Sequence, residues 1–437
     1  MAMVHDNKRR DSVTGMLTYG DFIDIAKKCI GDCDDPSRYV LVSTDISNFK
    51  YVNRICGYDK ANRLLISVAG FLEDESLSCV ASSRTHSDHF ISLYELKGSH
   101  EDFIYRIDEM SRRFERSNSG DYPSIMLHLN NGIYFFEQQD DDILYCMDKA
   151  NVARREAKGN YLLSGVLFSD DMLDRKEADA KILALFDNAL HNDRIKVLYQ
   201  PKMDIVEGRV KGVEALSRLY DEDDSLISPE VFIPVLENSG KVIDLDFYVM
   251  RKAFAAIRNW IDKGYSPVVV SINLSRMNFY GNRVADRIFS VFSEYGIPAE
   301  CVEFELTESL FVAESDVIIE EVNKLRTFGF KVSMDDFGVG YSNLNSLGEL
   351  PVDVIKFDKG FVKSSMATTA GYQIFLSLVN VFKKINYDVI CEGVETKADE
   401  KMIFDCGCDM AQGFLYDRPM ELSDFEAKYF AEKYQKM

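Results

Sequence analysis

The sequence predicts an α/β protein in two parts, a smaller α/β region followed by a (β/α)8 barrel of the TIM type. Three observations predict it. Short apolar strand candidates alternate with amphipathic helices along most of the chain. In the second part, eight such strands fit into about 240 residues, the length an eightfold βα repeat needs. Most of those strands end on an acid, an amide or a lysine, where a barrel keeps its chemistry.

In the first part, Tyr19–Cys29 reads as a helix on Phe22, Ile23, Ile25 and Ala26. Tyr39–Thr44 is an apolar strand running into Asp45, and Phe49, Val52, Ile55, Ala61, Leu64 and Leu65 mark the next helix. Phe90–Tyr94 and Ile125–Phe136 are further strands, and a helix spans Asp141 to about Lys158. Asp170–His191 contains neither Gly nor Pro, so it reads as a connecting helix. The expected division is residues 11–168, a connector at 169–192, and a barrel at 193–432. The barrel strands are Lys196–Tyr199, Arg209–Arg218, Pro267–Asn273, Cys301–Leu306, Lys331–Asp335, Val354–Phe357, Val389–Glu392 and Met410–Phe414. Helices at Pro229–Ser239, Asp244–Lys263, Asp316–Phe328 and Gln373–Lys384 lie between them.

The 437 residues carry 51 Lys plus Arg against 72 Asp plus Glu, a net charge of −21 spread over both parts. A protein that tracks nucleic-acid phosphates shows a basic excess, so DNA and RNA are not expected partners. No apolar run approaches the ~20 residues that span a bilayer, and Met1–Arg10 lacks the apolar core of a signal peptide. The nine cysteines form no paired CxxC zinc spacing and read as reduced thiols. Together these features point to the cytoplasm.

The strand ends carry the chemistry. Glu214 lies in the second barrel strand; Asn273, Glu305, and the pair Asp335 and Asp336 end the next three. Lys356, Glu392 and Gln412 follow, each near the end of its own apolar run. Crowding carboxylates onto one rim costs repulsion and desolvation, which cations offset. Oxygen donors without His or Cys favour Mg²⁺ or Mn²⁺ over Zn²⁺. Two ions about 3.5–4 Å apart, bridged by one carboxylate, suit in-line attack of water on a phosphodiester.

These residues resemble the EAL-domain cyclic-di-GMP phosphodiesterases. The resemblance rests on Tyr199-Gln200-Pro201, Glu214-Ala215-Leu216 with Arg218, Ser271-Ile272-Asn273, and Glu305-Leu306-Thr307-Glu308. It continues through Asp335-Asp336-Phe337-Gly338 to Leu344, Lys356-Phe357-Asp358, Glu392-Gly393-Val394-Glu395, Gln412-Gly413-Phe414 and Arg418-Pro419. It implies a modified barrel with an antiparallel first strand, and hydrolysis of cyclic-di-GMP to linear pGpG. It assigns Glu214, Asn273, Glu305, Asp335, Asp336 and Glu392 to two divalent cations, Mg²⁺ or Mn²⁺. Lys356 and Glu392 would handle the hydrolytic water with Gln412 as a polar group beside it, and Glu308 would pin the loop after Asp336. Gln200, Arg218, Asp358, Phe414 and Pro419 would contact substrate, and Glu395 would support the site from outside. Phe357, Asn343 and Leu219 depart from the family pattern without removing a ligand. The resemblance also implies a homodimer through the barrel. The other reading of the same motifs is a non-enzymatic cyclic-di-GMP receptor.

The first part resembles a GGDEF domain, the diguanylate cyclase fold. Asp11 to Leu17, Thr44-Asp45-Ile46-Ser47-Asn48-Phe49, Asn53, Gly57 and Asp148 to Asn160 carry that resemblance. The place of the naming motif is held by His86-Ser87-Asp88-His89. His89 and Ser47 stand where metal-binding acids are expected, and Asn62 where an acid contacts guanine. The resemblance therefore implies a degenerate domain without cyclase activity. Asp45 and Asn53 remain as vestigial GTP-binding candidates. The domain's role would be regulatory or dimerising.

Overall fold

The computed structural model describes residues 9–123, 125–158, 164–281, 283–312, 316–339 and 350–430. The chain forms two compact units, Met1–Ala178 and Asp179–Met437. The division falls inside one helix, Asp170–His191.

The first unit is built on a five-stranded sheet in the order β2-β3-β1-β4-β5. Its strands are β1 (Tyr39–Ile46), β2 (Cys79–His86), β3 (His89–Glu95), β4 (Leu129–Phe135) and β5 (Gly165–Leu167). The helices are α1 (Tyr19–Gly31), α2 (Phe49–Leu72), α3 (His100–Asn118) and α4 (Ile143–Ala157). Side chains alternate along β1. Val40 and Val42 pack with Leu64, Phe103 and Ile107 of α2 and α3; Leu41 packs with Phe22, Ala26 and Met147 of α1 and α4. Both faces are covered, which explains the unbroken apolar run.

Local chemistry moves several boundaries from those expected. Strand β4 begins at Leu129, because Ile125 N donates to Tyr122 O in a turn. Helix α2 kinks at Gly57, whose φ of 76° lies outside helical space, and the altered phase leaves Ile55 exposed. Strand β2 and helix α3 were not anticipated. The Ser, Arg, Thr and His of β2 hide its alternation.

The second unit is a closed barrel of β6 (Lys196–Asp204), β7 (Arg209–Tyr220), β9 (Val269–Asn273), β10 (Val302–Thr307), β11 (Lys331–Phe337), β12 (Val354–Phe357), β13 (Asp388–Cys391) and β14 (Met410–Gln412). A short β8 (Leu226–Ile227) pairs only with the end of β7. Strand β6 is antiparallel to both neighbours, β7 and β14, and every other barrel pairing is parallel. The first strand is thus reversed, as the resemblance implies. Among the helices outside the strands are α6 (Pro229–Ser239), α7 (Val242–Asp262), α10 (Asp316–Thr327), α11 (Lys359–Met366) and α12 (Thr369–Lys384). Thr368 caps α12 through its Oγ1, which moves that helix start upstream of Gln373.

Candidate active site

The barrel brings the strand-end residues onto one rim. Lys356 of β12 is fully buried, and its Nζ lies 2.6 Å from Glu305 Oε2, 2.6 Å from Glu392 Oε1, 2.9 Å from Asp335 Oδ1 and 3.8 Å from Glu214 Oε2. Asn273 donates to Glu214 Oε1 at 2.8 Å, and Gln412 Nε2 donates to Glu214 Oε2 at 2.7 Å and Gln200 Oε1 at 3.1 Å. Four strands therefore converge on the Lys356 ammonium: β7, β10, β11 and β13 with its following residue.

Neighbouring residues of a strand normally face opposite ways, yet the carboxylates of Asp335 and Asp336 lie together at the rim. A bulge makes this possible. Between Met334 and Phe337, β11 carries one residue more than its partner β12, and Asp336 adopts a left-handed φ of 57°. Oxygens of Asp335, Asp336 and Glu392 consequently lie within 4.8 Å of one another. Beyond the bulge, Gly338 turns with φ 101° and donates its N–H to Glu308 Oε2 at 3.0 Å. A side chain at Gly338 would strike the Phe361 ring, so Glu308 ties down a turn that only glycine fits. The rest of the Gly340 to Leu344 motif lies outside the described residues.

Electrostatics mark the cluster as short of positive charge. Burial, opposed by Lys356 and aided by Asp335, pushes Glu392 up to about 8. Burial and Asp335 push Asp336 up to about 6. Burial and Glu305 raise Glu214 as well. Glu305 behaves oppositely: burial disfavours its charge, but Lys202 and Lys356 hold it well below the usual carboxylate range. Lys356 itself is held far above its ordinary value; burial opposes its charge and the carboxylates overcome that. Asp335 Oδ1 and Gln412 Oε1 are buried without a hydrogen-bond donor in good geometry; the nearby Lys356 ammonium approaches Asp335 Oδ1 as an ion pair only. Unpartnered buried oxygens in an over-acidic rim suit hard divalent cations.

Two cavities flank the rim. One of about 370 Å³ is lined by Leu216, Arg218, Glu237, Asp246, Asn273 and Glu305. The other, about 250 Å³, is lined by Gln200, Glu214, Glu392, Glu395, Gln412 and Phe414. Arg218 Nη1 donates to Ser217 O, and Gln200 Nε2 donates to Asp417 O. Phe414 is half-exposed with the Arg418 guanidinium 4.1 Å from its ring centre. Asp358 is occupied otherwise: its Oδ1 accepts from Gly360 N and Phe361 N and caps α11. Glu395 pairs with Lys359 at 2.6 Å at the surface, and Pro419 is half-buried. Sequence reasoning missed Lys202, Glu303 and Asp246. Lys202 sits two residues after Gln200 in a buried strand, and that lysine in an apolar setting was the available signal.

In the first unit, the turn at Ser87 and Asp88 joins β2 to β3, and Ser87 takes φ 48° where a glycine would be at ease. His86 and His89 stack across it with ring centres 4.5 Å apart. Asp45 is buried. Its carboxylate accepts from Asn130 Nδ2 at 2.6 Å and is ion-paired to Arg154 Nη1. Gly132 lets α4 lie against β4, since a Cβ there would collide with the backbone of Ala150 and Arg154. Asn53 lies on α2, half-buried.

Comparison with known proteins agrees with this geometry. The EAL domain family model matches residues 185–419, and the diguanylate cyclase GGDEF domain model matches residues 9–161. The chain is 25% identical over 426 residues to the cyclic di-GMP phosphodiesterase NbdA of Pseudomonas aeruginosa, covering 97% of this chain and 54% of that protein. It is 26% identical over 386 residues to the bifunctional diguanylate cyclase/cyclic di-GMP phosphodiesterase MucR of the same organism, covering 88% of this chain and 56% of that one. The chain thus spans about half the length of these relatives. Among solved structures, the PaMucR phosphodiesterase in its c-di-GMP complex matches with 30% identity and a TM-score of 0.53, over 56% of this chain and 99% of that one.

Proposed function

This chain belongs to the EAL-domain family and carries a GGDEF domain ahead of the barrel, and on that premise we propose that it is a metal-dependent phosphodiesterase that opens cyclic-di-GMP to linear pGpG. One observation carries the reading. Among the described residues, Glu214, Glu303, Glu305, Asp335 and Glu392 are ion-paired to Lys202 and Lys356, and Asp336 lies beside them; six acids on two ammoniums are a formal excess of four negative charges that two divalent cations would cancel. Glu214, Asn273, Glu305, Asp335, Asp336 and Glu392 would hold those ions, Mg²⁺ or Mn²⁺. When bound, such ions neutralise phosphate oxygens and acidify water.

The residues themselves divide the remaining work. Lys356 keeps its proton in this setting, so it orients the attacking water and steadies developing negative charge. A protonated ammonium is no base, so the water's proton passes to a carboxylate beside it; Glu305 is held ionised by two ammoniums, whereas Glu392, equally close to Lys356, holds a proton readily and takes that role. Gln412 and Asn273 hold Glu214 from two sides and fix its rotation. Arg218 supplies a cation for a substrate phosphate in the larger cavity, and Phe414 offers a face for a guanine base. Glu308 fixes the turn behind Asp336.

We extend the proposal to the first unit, which we read as a GGDEF domain without cyclase chemistry. Asp45, the acid expected to bind metal, is already neutralised by Arg154. Its role is then regulatory or dimerising, and the barrel is the expected homodimer surface. Among the described residues no helix is long and apolar enough to cross a membrane.

The test is hydrolysis of cyclic-di-GMP with Mg²⁺ or Mn²⁺, following pGpG with and without GTP. Metal-dependent pGpG is the expected result. Binding of cyclic-di-GMP without turnover in either metal would instead make the chain a receptor.

A further inference from the structure

A second lysine lies deeper in the barrel than the rim chemistry uses. Lys202, on the reversed strand β6, is fully buried. Its Nζ donates to Glu303 Oε1 at 2.9 Å and to Glu305 Oε1 at 2.6 Å, both on β10. Strands β6 and β10 are not neighbours in the sheet, so these bonds cross the barrel interior. Glu303 and Glu305 alternate inward along β10, while Phe304 and Leu306 join the outer apolar core. The barrel centre, which in this architecture is ordinarily filled by branched apolar side chains, is here a stack of alternating charge. Glu303, Lys202, Glu305, Lys356 and the rim acids follow one another.

The consequence falls on Glu305. Its Oε1 is held by Lys202 and its Oε2 by Lys356, each at 2.6 Å. We propose that Lys202 is a positioning residue for the metal-binding rim, an interior ammonium that locks the rotation of Glu305. The proposal rests on the phosphodiesterase reading, in which Glu305 helps to hold a cation. Lys202 would touch neither substrate nor ion. It acts by removing the freedom of a ligand carboxylate, as outer partners of metal ligands do. Its partner Glu303 balances its second bond and makes the interior charge ladder locally neutral.

Lys202→Met alone leaves two facing buried acids with one ammonium fewer, and such a variant is at risk of unfolding. The informative variant is Lys202→Met with Glu303→Gln, which removes one buried charge of each sign. Glu303→Gln alone is the control, because it keeps Lys202 on Glu305. Mn²⁺ binding is read by calorimetric titration, folding by circular dichroism, and pGpG formation is followed on the parent in parallel. The expected result is a folded double variant that binds Mn²⁺ about tenfold or more weakly than the parent. The control should bind Mn²⁺ as the parent does. A double variant that binds Mn²⁺ as tightly as the parent, or that does not fold, makes Lys202 structural and overturns the proposal alone. A parent that binds Mn²⁺, loses that binding in the double variant, yet makes no pGpG upholds Lys202 and overturns the phosphodiesterase reading. A parent that binds no Mn²⁺ overturns both.

Discussion

Lys356 Nζ lies 2.6 Å from Glu392 Oε1, and the same ammonium reaches Glu305 Oε2 at an equal distance. Among the described residues, this one side chain, 1% exposed, is the cation ion-paired to Glu214, Asp335 and Glu392. It balances four strands' worth of carboxylate, so its removal has both a structural and a chemical effect.

Lys356→Met is therefore expected to abolish most turnover, by a factor of about 10²–10⁴ for loss of a group that holds water and charge. The metal-free variant should also lose about 3–5 kcal/mol of stability, the cost of leaving buried charge unpaired. Steady-state pGpG formation and urea unfolding in a chelator measure the two effects. Parental turnover in the variant would remove Lys356 from the chemistry.

Cation binding should release protons. Glu392 is pushed up to about 8 and Asp336 to about 6. At pH 7 the metal-free site therefore holds the Glu392 proton and has mostly lost that of Asp336. A divalent cation needs the deprotonated carboxylate and displaces on the order of one proton per site. Affinity for Mn²⁺ should rise between pH 6 and 8 and level off above. Calorimetry at pH 7 in two buffers of different ionisation enthalpy counts the protons. A count of zero would mean that Glu392 binds no cation or is already ionised.

Most of this site was legible in the sequence because strand-end acids, amides and lysine recur one βα unit apart. On β10, Glu305 stands at the strand end where the pattern puts it, and Glu308, expected from the resemblance, accepts from Gly338 N; Glu303, two residues earlier on the same strand, carried no such signal. The bulge at Asp335 and Asp336 was not legible, because it is set by the register of β11 against β12. Asp358 reads as a site residue by motif, yet its geometry is also that of a helix cap. Lys202 stands out as a lysine in a buried strand, but its pairing across the barrel interior has no short-range signature. In the first part, the loss of glycine at the turn was visible, but the pairing of Asp45 with Arg154 joins residues far apart in the chain.

Asp246, on the wall of the larger cavity, gives a stability signature of its own. It is buried on α7, accepts from Ser275 N at 2.9 Å and Asn278 Nδ2 at 2.6 Å, and burial pushes its pKa up to about 8. The folded state thus binds this proton more tightly than the unfolded chain does. The proton's contribution is full below the unfolded pKa of about 4 and is lost as pH rises toward 8. Asp246→Asn keeps an acceptor without the charge and should flatten that part of the profile. Urea unfolding of both proteins from pH 5 to 8 measures it. Equal slopes would show that Asp246 is ionised throughout.

The first unit supplies the last prediction. Arg154 reaches Asp45 because α4 lies against β4 at Gly132, and Arg154 Nε also donates to Ser43 Oγ at 3.1 Å. The guanidinium occupies the charge position that a metal ion would need beside Asp45. A cation bringing GTP must displace a buried, hydrogen-bonded ion pair; in the turn, His89 carries no carboxylate, and the carboxylate of Asp88 already accepts from Ile46 N. Incubation with Mg²⁺ and GTP should accordingly yield no cyclic-di-GMP. Arg154→Met should leave buried Asp45 without its guanidinium, with Asn130 Nδ2 and the His89 ring as its remaining neighbours, destabilising this unit by up to about 3–5 kcal/mol. Hydrogen exchange at the amides of β1 and α4 reads that loss within the first unit, where whole-chain unfolding would blend it with the barrel. Unchanged protection there, or cyclic-di-GMP formed from GTP by the parent, would show that the Asp45 and Arg154 pair does not close this site.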